Sequence, residues 1–361
     1  MAVIFVVFVI SAVLSLVAVA LILRLSHKKG WYDQINDRKI HTGDIPRLGG
    51  IGFALAFIIT AAFINFAIGR VNSGIRFLPC LTALLLILIF GVFDDFRPIA
   101  PRYKLLIQII AALCVIIPGY VFRRITYIEA GILSDLEWLG IPITLLWIVG
   151  LTNAMNLIDG IDGLAGGLSA LIALFFGLIF FFCTQNSQAV LFCISLSGVM
   201  LGFLVFNAPF PNAKIFMGDG GSQFLGFSLA LLPLIEEYDS RASLPIPYAT
   251  ALLAIPIFDT IAAVWRRIRD HRRIDSPDTS HIHHKLMNLG LSVRGVNAVL
   301  YGLQIIIGVL TFISIYLHGL PSLYFLCAAY LAVLVFFTVI HFLNRAAIPA
   351  NKGVLNSLPP E

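Results

Sequence analysis

Residues 2–23, AVIFVVFVISAVLSLVAVALIL, run for 22 positions without a single charge. A bilayer crossing needs about 20 apolar residues, and few other surroundings accept so long an uncharged run. Ten further runs follow, near 48–69, 77–93, 104–122, 139–157, 164–183, 188–207, 223–235, 244–265, 295–317 and 322–343. The eighth is short, and the fifth turns polar toward its end. The chain is 59% hydrophobic and 12% charged, with a mean hydropathy of +0.96, which excludes a soluble domain with a hydrated surface. The expected architecture is an all-α integral membrane protein of about eleven transmembrane helices, with residues 1–361 forming one polytopic domain. The first run is longer than a signal-peptide core and no basic residue precedes it, so it reads as a retained helix.

Basic residues orient the spans, because loops rich in Lys and Arg resist translocation. With the N-terminus outside and the C-terminus in the cytoplasm, the segments 24–47, 94–104, 208–222, 266–294 and 344–361 hold 19 of the 24 Lys and Arg residues. Arg70, Arg76, Arg123, Arg124 and Arg241 remain on the opposite side. The net charge of +5 is therefore mainly a topology signal, and nucleic acid is not an expected partner. Cys80, Cys114, Cys183, Cys193 and Cys327 lie in or beside apolar runs without CxxC spacing, and read as core residues.

In this topology the unusual polar segments share one face. HTGDIPRLGG (41–50), DDFRP (94–98), NLIDGIDGL (156–164), NAKIFMGDGGS (212–222) and SHIHHKL (280–286) all fall at cytoplasmic span ends. A lone carboxylate at a span end is often just a solvated loop residue; five loaded segments on one face imply a site assembled between helices. Asn153, Asn156, Asp159 and Asp162 recur every three residues, with glycines that should end the fifth helix near Ile158 and let backbone approach a ligand. Such oxygen ligands suit a hard cation. Asp219 sits in a glycine-flanked turn before a helix N-terminus, a place whose amides attract phosphate. A carboxylate and a phosphate coexist there if Mg²⁺ lies between them. Asp94 and Asp95 are adjacent, point about 100° apart on a helix and should do different work. His281, His283 and His284, following a basic run, suit anion binding better than zinc. Asp259, inside the ninth span, is a further suspect without an assigned place.

Taken together and in this order, DDFRP, NAMNLIDGIDGLAGG, NAKIFMGDGGS and SHIHHKL make the chain resemble the polyprenyl-phosphate N-acetylhexosamine-1-phosphate transferases over about its whole length. DTSHIHHKL and IHTGDIPRLGG are more similar to the undecaprenyl-phosphate N-acetylglucosaminyl-1-phosphate transferases than to phospho-N-acetylmuramoyl-pentapeptide transferase. The resemblance implies transfer of a sugar-1-phosphate from a UDP-sugar, most simply UDP-GlcNAc, to undecaprenyl phosphate with release of UMP. It implies Mg²⁺, with Mn²⁺ as a substitute, and a place in the bacterial inner membrane with the site on the cytoplasmic face. The product would start a lipid-linked envelope glycan such as lipopolysaccharide or teichoic acid. By motif position, Asp219 would be the principal metal ligand with Asn156 assisting, and Asp94 and Asp95 would stand near the attacking lipid phosphate. Asp159 and Asp162 would shape the nucleotide pocket and Phe216 would lie against uracil. His281, His283 and His284 would hold the donor diphosphate or sugar, and Asn153, Asn207 and Lys104 complete the expected substrate-binding set. Where the family has DDxxD or DDxxK this chain has Pro98, which leaves the last role to Arg97 or Lys104.

A transporter of nucleotide or lipid-linked sugars is the alternative from another class. It would place polar residues at mid-membrane on broken helices, whereas these gather at one face. The clustered pattern of a CDP-alcohol phosphotransferase is absent from the sequence. Oligomeric state stays open, a homodimer included.

Overall fold

Proline at position 256 shapes the fold more visibly than any other single residue. The ninth run is not one straight helix: α9 (Ile246–Leu252) and α10 (Ala254–Arg269) meet at an angle of 82°. Pro256 has no N–H, so the carbonyl of Leu252 lacks its ordinary helical donor; Gln304 Nε2 donates to it instead at 3.0 Å. A side chain thus satisfies the corner where lipid cannot.

The protein is described from a computed structural model that covers all residues except 33–44, 69–70, 128–131, 185, 209–211, 236–243, 274–277, 279, 318 and 356–361. His41 and Asp44 of the first loaded segment lie outside the described residues, whereas its end, 45–50, lies within them. The remaining helices are α1 (Ala2–Lys29), α2 (Gly49–Phe63), α3 (Val71–Phe96), α4 (Pro101–Ile116), α5 (Gly140–Ile158), α6 (Leu164–Ile179), α7 (Ser187–Asn207), α8 (Gly218–Leu231), α11 (Ile282–Asn288), α12 (Val293–Tyr316) and α13 (Leu320–Leu355). Between α4 and α5 a two-stranded antiparallel ribbon, β1 (Arg124–Tyr127) and β2 (Ile132–Asp135), departs from the all-α expectation. Arg124 stands opposite Asp135, and Tyr127 opposite Ile132.

Each of the eleven expected runs falls on helix, yet the described residues do not make eleven crossing helices. Eight are long and apolar enough to cross a membrane, or nine when the bent α9–α10 pair counts as one span. The two that fall short are α4, with 16 residues, and α8, with 14. For α8 the reason is its position. Every residue from Gly220 to Leu231 is buried, with α2, α3 and α5 packed around it. A helix hydrophobic all round and enclosed by neighbours belongs to the core rather than to lipid.

That enclosure depends on backbone meeting backbone. A Cβ on Gly91 of α3 would stand 2.4 Å from Gly220 Cα, and one on Gly50 of α2 would stand 2.4 Å from Gly221 Cα. Small residues at such crossings let membrane helices approach closely. Here they bring the first turn of α8 against the ends of α2 and α3, which is where the polar residues gather. On the far side α1 lies along α7, with Ser15 Oγ donating to the Val199 carbonyl at 2.7 Å.

Candidate active site

Helix α8 begins at Gly218, so Asp219 belongs to its first turn rather than to a preceding loop. The free amides of that turn were expected to attract phosphate. In the structure a protein carboxylate takes them: Asp95 accepts from the Asp219 N–H at 2.8 Å and the Gly220 N–H at 3.1 Å. Its side chain, 2% exposed, also meets Arg47 Nη2 at 3.1 Å. Asp95 is thus a helix cap supplied by a neighbouring helix, its charge matched to the positive end of α8.

Asp94 points elsewhere, as its position one residue earlier requires. Its Oδ1 accepts from the Ile99 N–H at 2.8 Å and secures the turn between α3 and α4, while its Oδ2 pairs with Lys104 Nζ at 2.5 Å. Lys104 also reaches Asp219 Oδ2 at 3.2 Å, and Arg47 reaches Asp219 Oδ1 at 3.5 Å. The more accessible carboxylate, Asp219 at 38% exposure, therefore stands between two cations. Of the two basic residues considered in view of Pro98, Lys104, in the first turn of α4, is the one that pairs with Asp94, while Asp95 pairs with Arg47.

Asn156, in the last turn of α5, donates through Nδ2 to Ser222 Oγ at 2.8 Å and stands 3.5 Å from Asp219 Oδ1. Helix α5 ends at Ile158, as the glycines after it predicted. Beneath, the side-chain amides of half-buried Asn153 and buried Gln108 and Gln223 link three helices. Asn153 Nδ2 donates to Gln108 Oε1 at 2.7 Å and to the Val149 carbonyl at 2.8 Å, and Gln108 Nε2 donates to Gln223 Oε1 at 3.0 Å. Side-chain amides bonded to each other in this way fix the relative heights of α4, α5 and α8. Asn153 serves this framework, below the level of Asp219.

The turn 159–163 is held from several directions. Gly163 has a φ of 81°, a backbone setting that suits glycine, and its N–H donates to Asn207 Oδ1 at 2.9 Å. Asn207 Nδ2 donates to the Ile215 carbonyl at 3.0 Å, so both ends of this buried amide join loops to each other. From α12, Asn297 Nδ2 donates to the Asp162 carbonyl at 2.7 Å and the Tyr301 hydroxyl to the Gly163 carbonyl at 2.5 Å. Asp162 Oδ2 accepts from the Ala213 N–H at 3.4 Å. Asp159 occupies the end of α5, where burial, and then the charges of Asp219, Asp162 and Asp95, push its carboxyl up to about 7; Arg47 opposes the shift.

The histidine segment closes the site. Asp259 Oδ2 stands 2.8 Å from His281 Nδ1, and Asp259 Oδ1 accepts from the Ile282 N–H at 2.8 Å, which binds α11 to α10. The rings of His281 and His283 lie parallel, 5.9 Å apart, with His284 4.3 Å from His283. His283 is 1% exposed and packs so tightly on the turn that a Cβ on Gly160 would stand 2.3 Å from its Nε2. Burial, helped by the charge of His284, pushes His283 down to about 4, so it is neutral at ordinary pH. Phe216 is half-buried; its N–H donates to the Pro46 carbonyl at 2.8 Å and its carbonyl accepts from the Gly49 N–H at 2.9 Å.

All five polar segments therefore meet at one end of the bundle, joined through Arg47, Asp95, Asp219, Asp162 and His283. Sequence reasoning gave no role to Arg47, Gln108, Gln223, Asn297 or Tyr301. The last two had a legible signal, since Asn297, Tyr301 and Gln304 follow at helical spacing on an otherwise apolar run. Among the described residues no three His, Cys, Asp or Glu side chains stand close enough to cage a metal alone. Asp219 and Asn156 do fit a hard cation that takes one or two protein oxygens and fills its shell from phosphate and water.

Residues 77–236 match glycosyl transferase family 4. A Bacillus subtilis protein named as a probable undecaprenyl-phosphate N-acetylglucosaminyl 1-phosphate transferase is 38% identical over 81% of this chain and 80% of its own. An Escherichia coli K12 protein named undecaprenyl-phosphate alpha-N-acetylglucosaminyl 1-phosphate transferase is 30% identical over 83% and 80%, and a Yersinia pestis protein of the same name is 31% identical over 75% and 73%. The matched family region contains the aspartate pair, the 159–163 turn and Asp219, while the similarity to the relatives extends over most of the chain. By this similarity and these motifs, the chain belongs to glycosyl transferase family 4, the polyprenyl-phosphate sugar-1-phosphate transferases.

Proposed function

We propose that this protein transfers N-acetylglucosamine-1-phosphate from UDP-GlcNAc to undecaprenyl phosphate, releasing UMP, at the cytoplasmic face of a bacterial inner membrane. The observation that carries the reading is Asp219 standing between Lys104 and Arg47 where the polar site adjoins apolar side chains of α3 and α4. Ile87, Phe90, Ile99 and Ile107 gather there beside Asp94 and Lys104. One substrate is a lipid with an ionic head, the other a soluble anion, and this junction is where both can arrive. The names of the related proteins supply the sugar and the acceptor.

An oxygen of the lipid phosphate attacks the donor's β-phosphorus, and the bond from that phosphorus to the bridging oxygen breaks as UMP leaves. A phosphate monoester has a second pKa of about 6, so near neutral pH the acceptor is already an anionic nucleophile and needs no covalent enzyme intermediate. Lys104, held by Asp94, positions the acceptor phosphate and lessens repulsion between two anionic substrates. Mg²⁺, held by Asp219 and Asn156, would supply charge neutralisation at the diphosphate. Asp159 can hold or release a proton near neutrality. His281 and His284 would hold the donor's diphosphate or sugar.

The test is purified protein with undecaprenyl phosphate, Mg²⁺ and, separately, UDP-GlcNAc, UDP-GalNAc and UDP-N-acetylmuramoyl-pentapeptide. Undecaprenyl-diphosphate-GlcNAc and UMP in equal amounts are expected from the first donor. Product from the pentapeptide donor alone would overturn the choice of sugar, and no lipid product from any donor would overturn the reading.

A further inference from the structure

We infer that Arg47 grips the phosphates of the donor nucleotide and that Asp95 is the positioning residue that aims it. The inference rests on the transferase reading above and adds to it a residue and a division of labour.

Arg47 and Phe216 belong to one stitched unit. The Phe216 N–H donates to the Pro46 carbonyl at 2.8 Å, the Gly49 N–H to the Phe216 carbonyl at 2.9 Å, and the Gly50 N–H to the Met217 carbonyl at 2.9 Å. Residues 46–50 and 216–217 therefore move together, and a base resting on Phe216 brings its phosphates past Arg47. Across the site, Asp95 is a buried carboxylate bonded to two amides of α8. A buried charge needs a partner, and Arg47 at 3.1 Å provides it. This contact aims the guanidinium along the first turn of α8 toward Asp219, 3.5 Å away, while its side chain keeps 30% exposure.

The two cations are not equivalent. Lys104 stands beside the apolar side chains of Ile87, Phe90 and Ile107 and is tied to Asp94, whereas Arg47 is tied to Asp95. An acceptor with a hydrocarbon tail comes to Lys104; a water-borne diphosphate comes to Arg47 on the other side of Asp219. A planar guanidinium also matches paired phosphate oxygens better than an ammonium does.

The test compares UDP with uridine, which differ by the diphosphate alone. Binding of each to wild-type, Arg47→Gln and Arg47→Lys protein is measured by calorimetry in Mg²⁺, with thermal melts alongside. Arg47→Gln should lower UDP affinity at least about tenfold, leave uridine affinity unchanged and leave the KM for undecaprenyl phosphate within about twofold; Arg47→Lys should recover part of the loss. Equal losses for UDP and uridine would overturn the assignment and make Arg47 a loop brace. Unchanged UDP affinity, or an effect confined to the lipid KM, would overturn it as well. Wild-type protein that binds neither compound would overturn the transferase reading itself, and the assignment with it.

Discussion

Asp259 Oδ2 lies 2.8 Å from His281 Nδ1, so a carboxylate on α10 sets the tautomer and orientation of a histidine at the start of α11. A carboxylate accepts at that nitrogen, which places the ring proton on Nδ1 and leaves Nε2 as the basic atom.

Asp259→Asn presents an amide donor to Nδ1 unless it rotates and forfeits the Ile282 contact. The expected result is a fall in kcat of about 10²-fold with a much smaller change in KM for either substrate, measured by steady-state kinetics. A change in KM alone would show that the pair only anchors α11.

Asp219→Asn should abolish measurable turnover, with no recovery on raising Mg²⁺, and should weaken Mn²⁺ binding followed by electron paramagnetic resonance. Phe216→Ala should instead raise the KM for UDP-GlcNAc about tenfold with kcat nearly kept, because stacking contributes binding more than chemistry. Near-normal turnover in Asp219→Asn would remove Asp219 from the metal site.

His283 gives a pH signature in stability. Its folded pKa of about 4 lies below the ordinary histidine value near 6.5, because burial, and then His284, disfavour its charge while Asp259 partly offsets them. Above the unfolded value the ring is neutral in both states and the group's effect on stability is fully present. As pH falls from about 6.5 toward 4 the unfolded chain takes up a proton that the folded protein refuses, and stability drops. Thermal melts of wild-type and His283→Gln protein between pH 7.5 and 4.5 should therefore converge as pH falls, by on the order of a few °C. Parallel curves would show that His283 takes up its proton as readily in the folded protein as in the unfolded chain.

Gly91→Ala tests the packing that sets Asp219. The added methyl meets Gly220 Cα at 2.4 Å, which requires α3 and α8 to separate. Overpacking of this kind costs about 1–3 kcal/mol, and the same shift pulls Asp95 from the α8 amides. Activity should fall further than the melting temperature, whereas Gly150→Ala, with open space at its Cβ, should be neutral in both measurements.

Orientation can be read by labelling. A cysteine introduced at Glu137 should react with a membrane-impermeant reagent from outside intact cells, and one introduced at Arg102 only after permeabilisation. Both reacting from the same side would overturn the N-out arrangement.

Much of the site was legible because five segments rich in carboxylates, amides and histidines fall at span ends on one face, an agreement that solvated loop residues taken singly do not explain. Asp94, Asp95, Asn156, Asp159, Asp219 and His283 stood out on that ground alone. Which cation met which carboxylate was not legible, since Arg47 reaches Asp95 across nearly fifty positions of sequence and nothing local records the meeting. Asp259 was visible as an anomaly while its partners, His281 and Ile282, stayed hidden for the same reason. The described residues give fewer crossing helices than hydropathy counted, and at α8 the reason is packing: hydropathy treats that run as a short span, although residues 220–231 are enclosed by protein. The break at Leu253 did have a local cause in Pro256, but the donor that makes it tolerable, Gln304, lies on α12.

Helix α8 also bears on how the chain can be assembled. A segment of 14 residues with no lipid-wetted side gains little from entering a bilayer by itself. Its walls come from α2, α3 and α5, and all three precede it along the chain. During synthesis, therefore, the slot can be built before its occupant emerges from the ribosome, and Asp219 is carried into it on a helix whose walls already stand.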